Sequence, residues 1–84
     1  MRNADEFIPG LVLPPAYHGV LRKRLTEIDI ANSPANCLIA QARAGGMVES
    51  LELLKALEAD QIERLYLVVE QAAMARLQEL ERDQ

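Results

Sequence analysis

Cysteine and histidine each occur once in this chain, as Cys37 and His18. A lone cysteine excludes an internal disulfide and points to a reducing compartment. A zinc site needs several such ligands, and no H-E-x-x-H or E-x-x-H spacing supplies them. No D-x-D-x-D-G loop, glycosidase-like carboxylate dyad or phosphate-cradling glycine loop is present either. The expectation is a chain with no metal, no cofactor and no catalytic residues, and therefore not an enzyme. No apolar run approaches the ~20 residues that cross a bilayer. The first residues, Met1-Arg2-Asn3-Ala4-Asp5-Glu6, are polar and acidic where a secretion signal is basic and then apolar. A cytoplasmic protein that does not enter the membrane is expected.

Glycine and proline are missing from a long stretch, the 38 residues from Met47 to Gln84. Apolar residues recur there at helical spacing, so the sequence reads as helix. At 84 residues with half of them hydrophobic, the chain supports one folded domain, residues 1–84, with more apolar side chains than so small a core can cover. A partner, commonly a second copy of the chain, is the natural cover for the surplus.

Thirteen acids against nine bases give a formal charge of −4, which disfavours nucleic acid as a partner. The charge is uneven: residues 1–46 sum to +1 and residues 47–84 to −5. The one basic cluster, Arg22-Lys23-Arg24, fans over roughly 200° of a helix. Without interleaved aromatic residues it makes no single-strand binding platform. These three arginine and lysine side chains are the only candidates for nucleic-acid contact.

Prolines 9, 14 and 15 make residues 1–14 an extended apolar arm, with a turn at Pro9-Gly10. Its Leu11, Val12 and Leu13 must lie on something, either the chain's own bundle or a partner. A first helix is expected over 15–31, with Tyr17, Leu21, Leu25 and Ile28 on one stripe. A second is expected over 34–44: Ser33 caps it, Pro34 opens it, Ala35, Leu38, Ile39 and Ala42 form its apolar face, and Gly45-Gly46 ends it. Beyond Met47 the sequence fits two forms, helices over 47–58 and 61–82 with Asp60 and Glu63 as a capping box, or one rod of about 55 Å. Lys55 and Glu58 interrupt the shared apolar stripe, which favours the bend.

In the last helix Leu65, Tyr66 and Val69 belong to the core stripe, whereas Leu67 and Met74 share a line roughly 120° to 140° away. A second apolar face asks for a second neighbour. Leu67, Met74 and Tyr66, with Leu11, Val12 and Leu13 of the arm, are thus the candidate protein-interaction residues. Glu52 with Lys55 and Glu79 with Arg82 form i, i+3 pairs on a solubilising acidic face, and Cys37 reads as a packed thiol.

Together these observations predict an all-α bundle of three to four helices, its C-terminal part a helical hairpin or one long helix. The expected function is that of a non-enzymatic regulatory module, homodimeric, that binds and modulates a larger protein. Compact acidic helical chains of this kind are associated with bacterial and phage anti-activators, adaptors and inhibitors. The alternative is a nucleic-acid-associated transcriptional regulator using Arg22, Lys23 and Arg24, although the alanine-rich 34–44 helix is too apolar to read bases.

Overall fold

A computed structural model describes residues 6–8 and 11–82. Three helices form the bundle: α1, Pro15–Asp29; α2, Pro34–Leu53; and α3, Ala59–Arg82. Two short strands precede them, β1 (Glu6–Ile8) and β2 (Leu11–Val12), paired antiparallel with Glu6 opposite Val12 and Ile8 opposite Leu11. The arm is therefore folded back on itself rather than extended throughout. The expected turn at Pro9-Gly10 lies outside the described residues.

Proline opens two of the helices because its missing N–H would have no intrahelical acceptor there. Ser33 caps α2 as expected, its hydroxyl oxygen accepting the Asn36 N–H at 3.1 Å. The expected stop at Gly45-Gly46 is corrected: α2 runs straight through both glycines to Leu53, so the helices expected over 34–44 and 47–58 are one. Two interior glycines cost about 1 kcal/mol each relative to alanine. Burial of Ala44, Val48 and Leu51 on either side of them outweighs that cost.

The chain then bends, so α2 and α3 form a hairpin and not a rod. Lys55 adopts the left-handed conformation at φ 54°. Its N–H donates to the Glu52 carbonyl at 3.0 Å, and the Ala56 N–H donates to that of Leu51 at 2.9 Å, the hydrogen-bond pair of a Schellman C-cap. At the start of α3 the expected Asp60/Glu63 box is replaced by Gln61, whose side-chain oxygen accepts the Glu58 N–H at 2.8 Å. This cap is set two residues earlier because the preceding helix stops at Leu53 instead of 58, which lets α3 start at Ala59.

One apolar cluster joins β2 and the three helices. Leu11 and Leu13 of the arm, Leu21 and Ile28 of α1, Cys37, Ala40, Ala44, Val48 and Leu51 of α2, and Ile62, Leu65, Val69 and Ala73 of α3 are buried in it. The α1 stripe and the α3 core stripe are those expected from the spacing, Tyr17 and Leu25 packing at the edge. No buried side-chain nitrogen or oxygen among the described residues lacks a partner.

Candidate interaction surface

Helix α2 is apolar on two sides. Counting about 100° per residue, Cys37, Ala40, Ala44, Val48 and Leu51 share the side turned to α1 and α3. Ala35, Leu38, Ile39 and Ala42, expected to be the core face, point the other way. All four are exposed, Leu38 at 54% and Ile39 at 59%. Amphipathic spacing alone could not choose between the two sides, because both satisfy i, i+3, i+4, i+7. The buried one carries small side chains, Cys37, Ala40 and Ala44, which let α1 and α3 approach closely.

The exposed face continues along α2 through Gly46 to Leu53, and Leu54 follows at the helix end. Leu53 and Leu54 are 75% and 74% exposed. Four of the nine large apolar side chains exposed among the described residues therefore sit on α2 and its cap. Beside this face a shallow groove of about 370 Å³ runs between α2 and α3, lined by Leu38, Ala42, Gly45, Tyr66, Val69 and Glu70.

The expected interaction residues are placed unequally. Leu67 and Met74 lie on the outside of α3, 49% and 53% exposed, away from Leu65 and Val69. Tyr66 is half-buried at the α2–α3 seam, where its hydroxyl donates to Glu52 Oε1 at 3.4 Å. Burial, with the Glu52 and Glu49 carboxylates nearby, raises its pKa. In the arm, Leu11 and Leu13 are corrected from interaction candidates to core residues of the same chain, because Leu11 of β2 and Leu13 just beyond it both turn into the bundle's apolar cluster. Only Val12, at 50% exposure, faces outward.

The basic cluster is split. The Arg24 guanidinium donates to Glu27 at 2.9 and 3.0 Å, and Arg43 approaches the same carboxylate at 3.5 Å. The hydrogen bond from Arg24 holds Glu27 below the usual carboxylate range. Arg22 Nη2 lies 3.4 Å from His18 Nε2, one turn back on α1. Arg22 and Lys23 are exposed and Arg24 is half-buried, so the three do not form one patch.

Cys37 is fully buried, and its thiol donates to the Ala73 carbonyl at 3.7 Å. Burial raises its pKa, with Arg76 pulling weakly the other way. Among the described residues no three acidic, cysteine or histidine side chains cluster in a way that would hold a metal ion. None of the helices described is long and apolar enough to cross a membrane.

No family model matches the chain, and no curated protein or solved structure is significantly similar to it.

Proposed function

We propose that this chain is a non-enzymatic interaction module of the cytoplasm that self-associates and also binds and modulates a larger protein, in the manner of a small bacterial or phage inhibitor or anti-activator. One observation carries the proposal: among the described residues, nine large apolar side chains stay exposed around a core that is already closed. Water-facing apolar area of this kind is stabilised by cover from another protein. Six of the nine lie on two sides, the outer face of α2 with its cap and the Leu67/Met74 line of α3. The net charge of −4 repels nucleic acid and favours a partner with basic or neutral rims.

A photo-reactive residue placed at Leu67, and separately at Leu38, tests this in cells that make the protein. Adducts with a defined larger protein at one of these positions, and none from Thr26, exposed on α1, support the reading. Absence of any adduct at both positions contradicts it. Sequence-selective, nanomolar DNA or RNA binding in about 150 mM salt, far tighter than non-specific association, would promote the nucleic-acid alternative instead.

A further inference from the structure

The outer face of α2 has a symmetry that its composition alone hides. Its exposed members Ala35, Leu38, Ile39, Ala42, Gly46 and Leu53 fall within an arc of about 100°, opposite the buried arc. Around Gly46 the pattern reads the same outward in both directions. Ile39 lies seven residues before it and Leu53 seven after; Leu38 and Leu54 lie eight before and eight after; Ala42 and Ser50 lie four before and four after. Arg43 and Glu49 stand three residues to either side.

Resting on the reading of the chain as a module that acts through exposed helical surface, we propose that this face binds a second copy of the chain. The two α2 helices pack antiparallel across a two-fold axis beside Gly46. That register brings Ile39 of one copy level with Leu53 of the other, so large apolar side chains meet at both ends, with Leu38 and Leu54 flanking them. At the centre Gly46 meets Gly46, and with no side chain there the backbones cross closely. Arg43 comes level with the other copy's Glu49, within the span of a long side chain over so close a crossing. It can serve a second carboxylate while keeping Glu27, since a guanidinium carries five donors. A parallel pair would instead set Arg43 beside Arg43 and Glu49 beside Glu49, and like charges at close range oppose it.

The same arrangement gives the glycine pair a role that the single chain does not. A Cβ built at Gly45 or Gly46 meets no atom within 4 Å, so nothing inside the monomer demands glycine. Helix propensity disfavours both. A close crossing with a second helix is what a side chain at position 46 would obstruct.

Sedimentation equilibrium on the wild-type chain, Gly46→Gln, Leu67→Asp and the charge variants tests the inference. The wild type should have about twice the 9.4 kDa chain mass at micromolar concentration. Gly46→Gln should sediment as a monomer with helix content by circular dichroism equal or higher, because glutamine is the better helix former. Arg43→Glu and Glu49→Arg should each weaken the dimer roughly two- to fivefold, and the double exchange should recover it. A wild type that stays monomeric, or a Gly46→Gln variant that stays dimeric, overturns the inference. If Leu67→Asp abolishes the dimer while Gly46→Gln keeps it, the two-fold contact lies on α3; the inference then fails and the interaction reading stands. Cross-linking of a larger protein at Leu38 to a monomeric wild type has that same meaning.

Discussion

The Nε–H of Arg76 donates to the carbonyl oxygen of Ala31 at 2.8 Å, joining the last third of the chain to the α1–α2 connection 45 residues earlier. Ala31 is buried, and its carbonyl lies just past the end of α1, where the helix no longer supplies a donor. The guanidinium also reaches Glu79 at 3.6 Å. One side chain of α3 thus satisfies the end of α1 and holds the connection down on the bundle.

Arg76→Ala should therefore destabilise the fold by about 1–3 kcal/mol, the cost of leaving a buried acceptor without its charged donor. For a chain of this size each kcal/mol lowers Tm by about 4–8 °C. Thermal melting of Arg76→Ala against Glu79→Ala separates the two contacts. Glu79, at 58% side-chain exposure, should shift Tm little.

Lys55→Gly should stabilise the chain by about 0.5–1 kcal/mol. The left-handed φ at Lys55 strains a residue with a Cβ but not glycine. Urea titration is the direct check, and an unchanged or lower midpoint would mean that the lysine side chain contributes more than its backbone conformation costs. Gly45→Ala, beside the crossing and with open space for its Cβ, should likewise raise helix stability by about 0.5–1 kcal/mol.

The pH dependence follows from Cys37. A thiol whose folded pKa is raised by burial contributes stability that is fully present below its unfolded value and is lost as pH rises through the folded one. Unfolding free energy should fall above pH ~8.5, and Cys37→Ala should flatten that decline. Tyr66, also raised, adds a loss of the same sign above its own unfolded value near ~10. At the acid end Glu27, held low by Arg24, acts oppositely, with stability present above its unfolded pKa and lost as pH falls. Denaturant melts from about pH 2.5 to about pH 11.5 on the wild type and Cys37→Ala cover all three ranges.

Val69→Asp and Leu67→Asp place the same charge two residues apart on α3. Val69 is 5% exposed and Leu67 49%. The first should unfold the chain, since an unpaired buried charge costs several kcal/mol; the second should keep its helix content and most of its Tm. Circular dichroism of the pair decides, and equal loss of helix in both variants would make Leu67 a core residue.

Much of the fold is legible in the sequence because local signals agree with packing. Ser33-Pro34 starts a helix, the Tyr17, Leu21, Leu25, Ile28 stripe is the side α1 buries, and the break near Lys55 and Glu58 is a real hairpin. What is not legible has three physical causes. Tertiary burial overrides local propensity at Gly45-Gly46, where the glycine rule ends a helix that the core keeps going. A residue with a Cβ fills the left-handed cap position at Lys55, which no glycine announces. The outer face of α2 was hidden for a third reason: a helix apolar on both sides gives a pattern that fits the core equally well from either side. Only the positions of α1 and α3 reveal that Leu38 and Ile39 are the side left uncovered.

The two-fold crossing at Gly46 is tested most directly by disulfide trapping. In a Cys37→Ala background, Ala42→Cys with Ser50→Cys provides the only thiols, set level between the two copies by the register and leaving Gly46 intact; a disulfide forms when two Cα atoms lie about 4.4–6.8 Å apart, closer than two residues eight apart on one helix. Mild oxidation at micromolar concentration should convert this variant almost completely into a covalent dimer that runs at twice the chain mass on non-reducing gels. Thr26→Cys, exposed on α1, should remain monomeric in the same background. An Ala42→Cys/Ser50→Cys chain that stays monomeric, or that cross-links no faster than Thr26→Cys, contradicts the account.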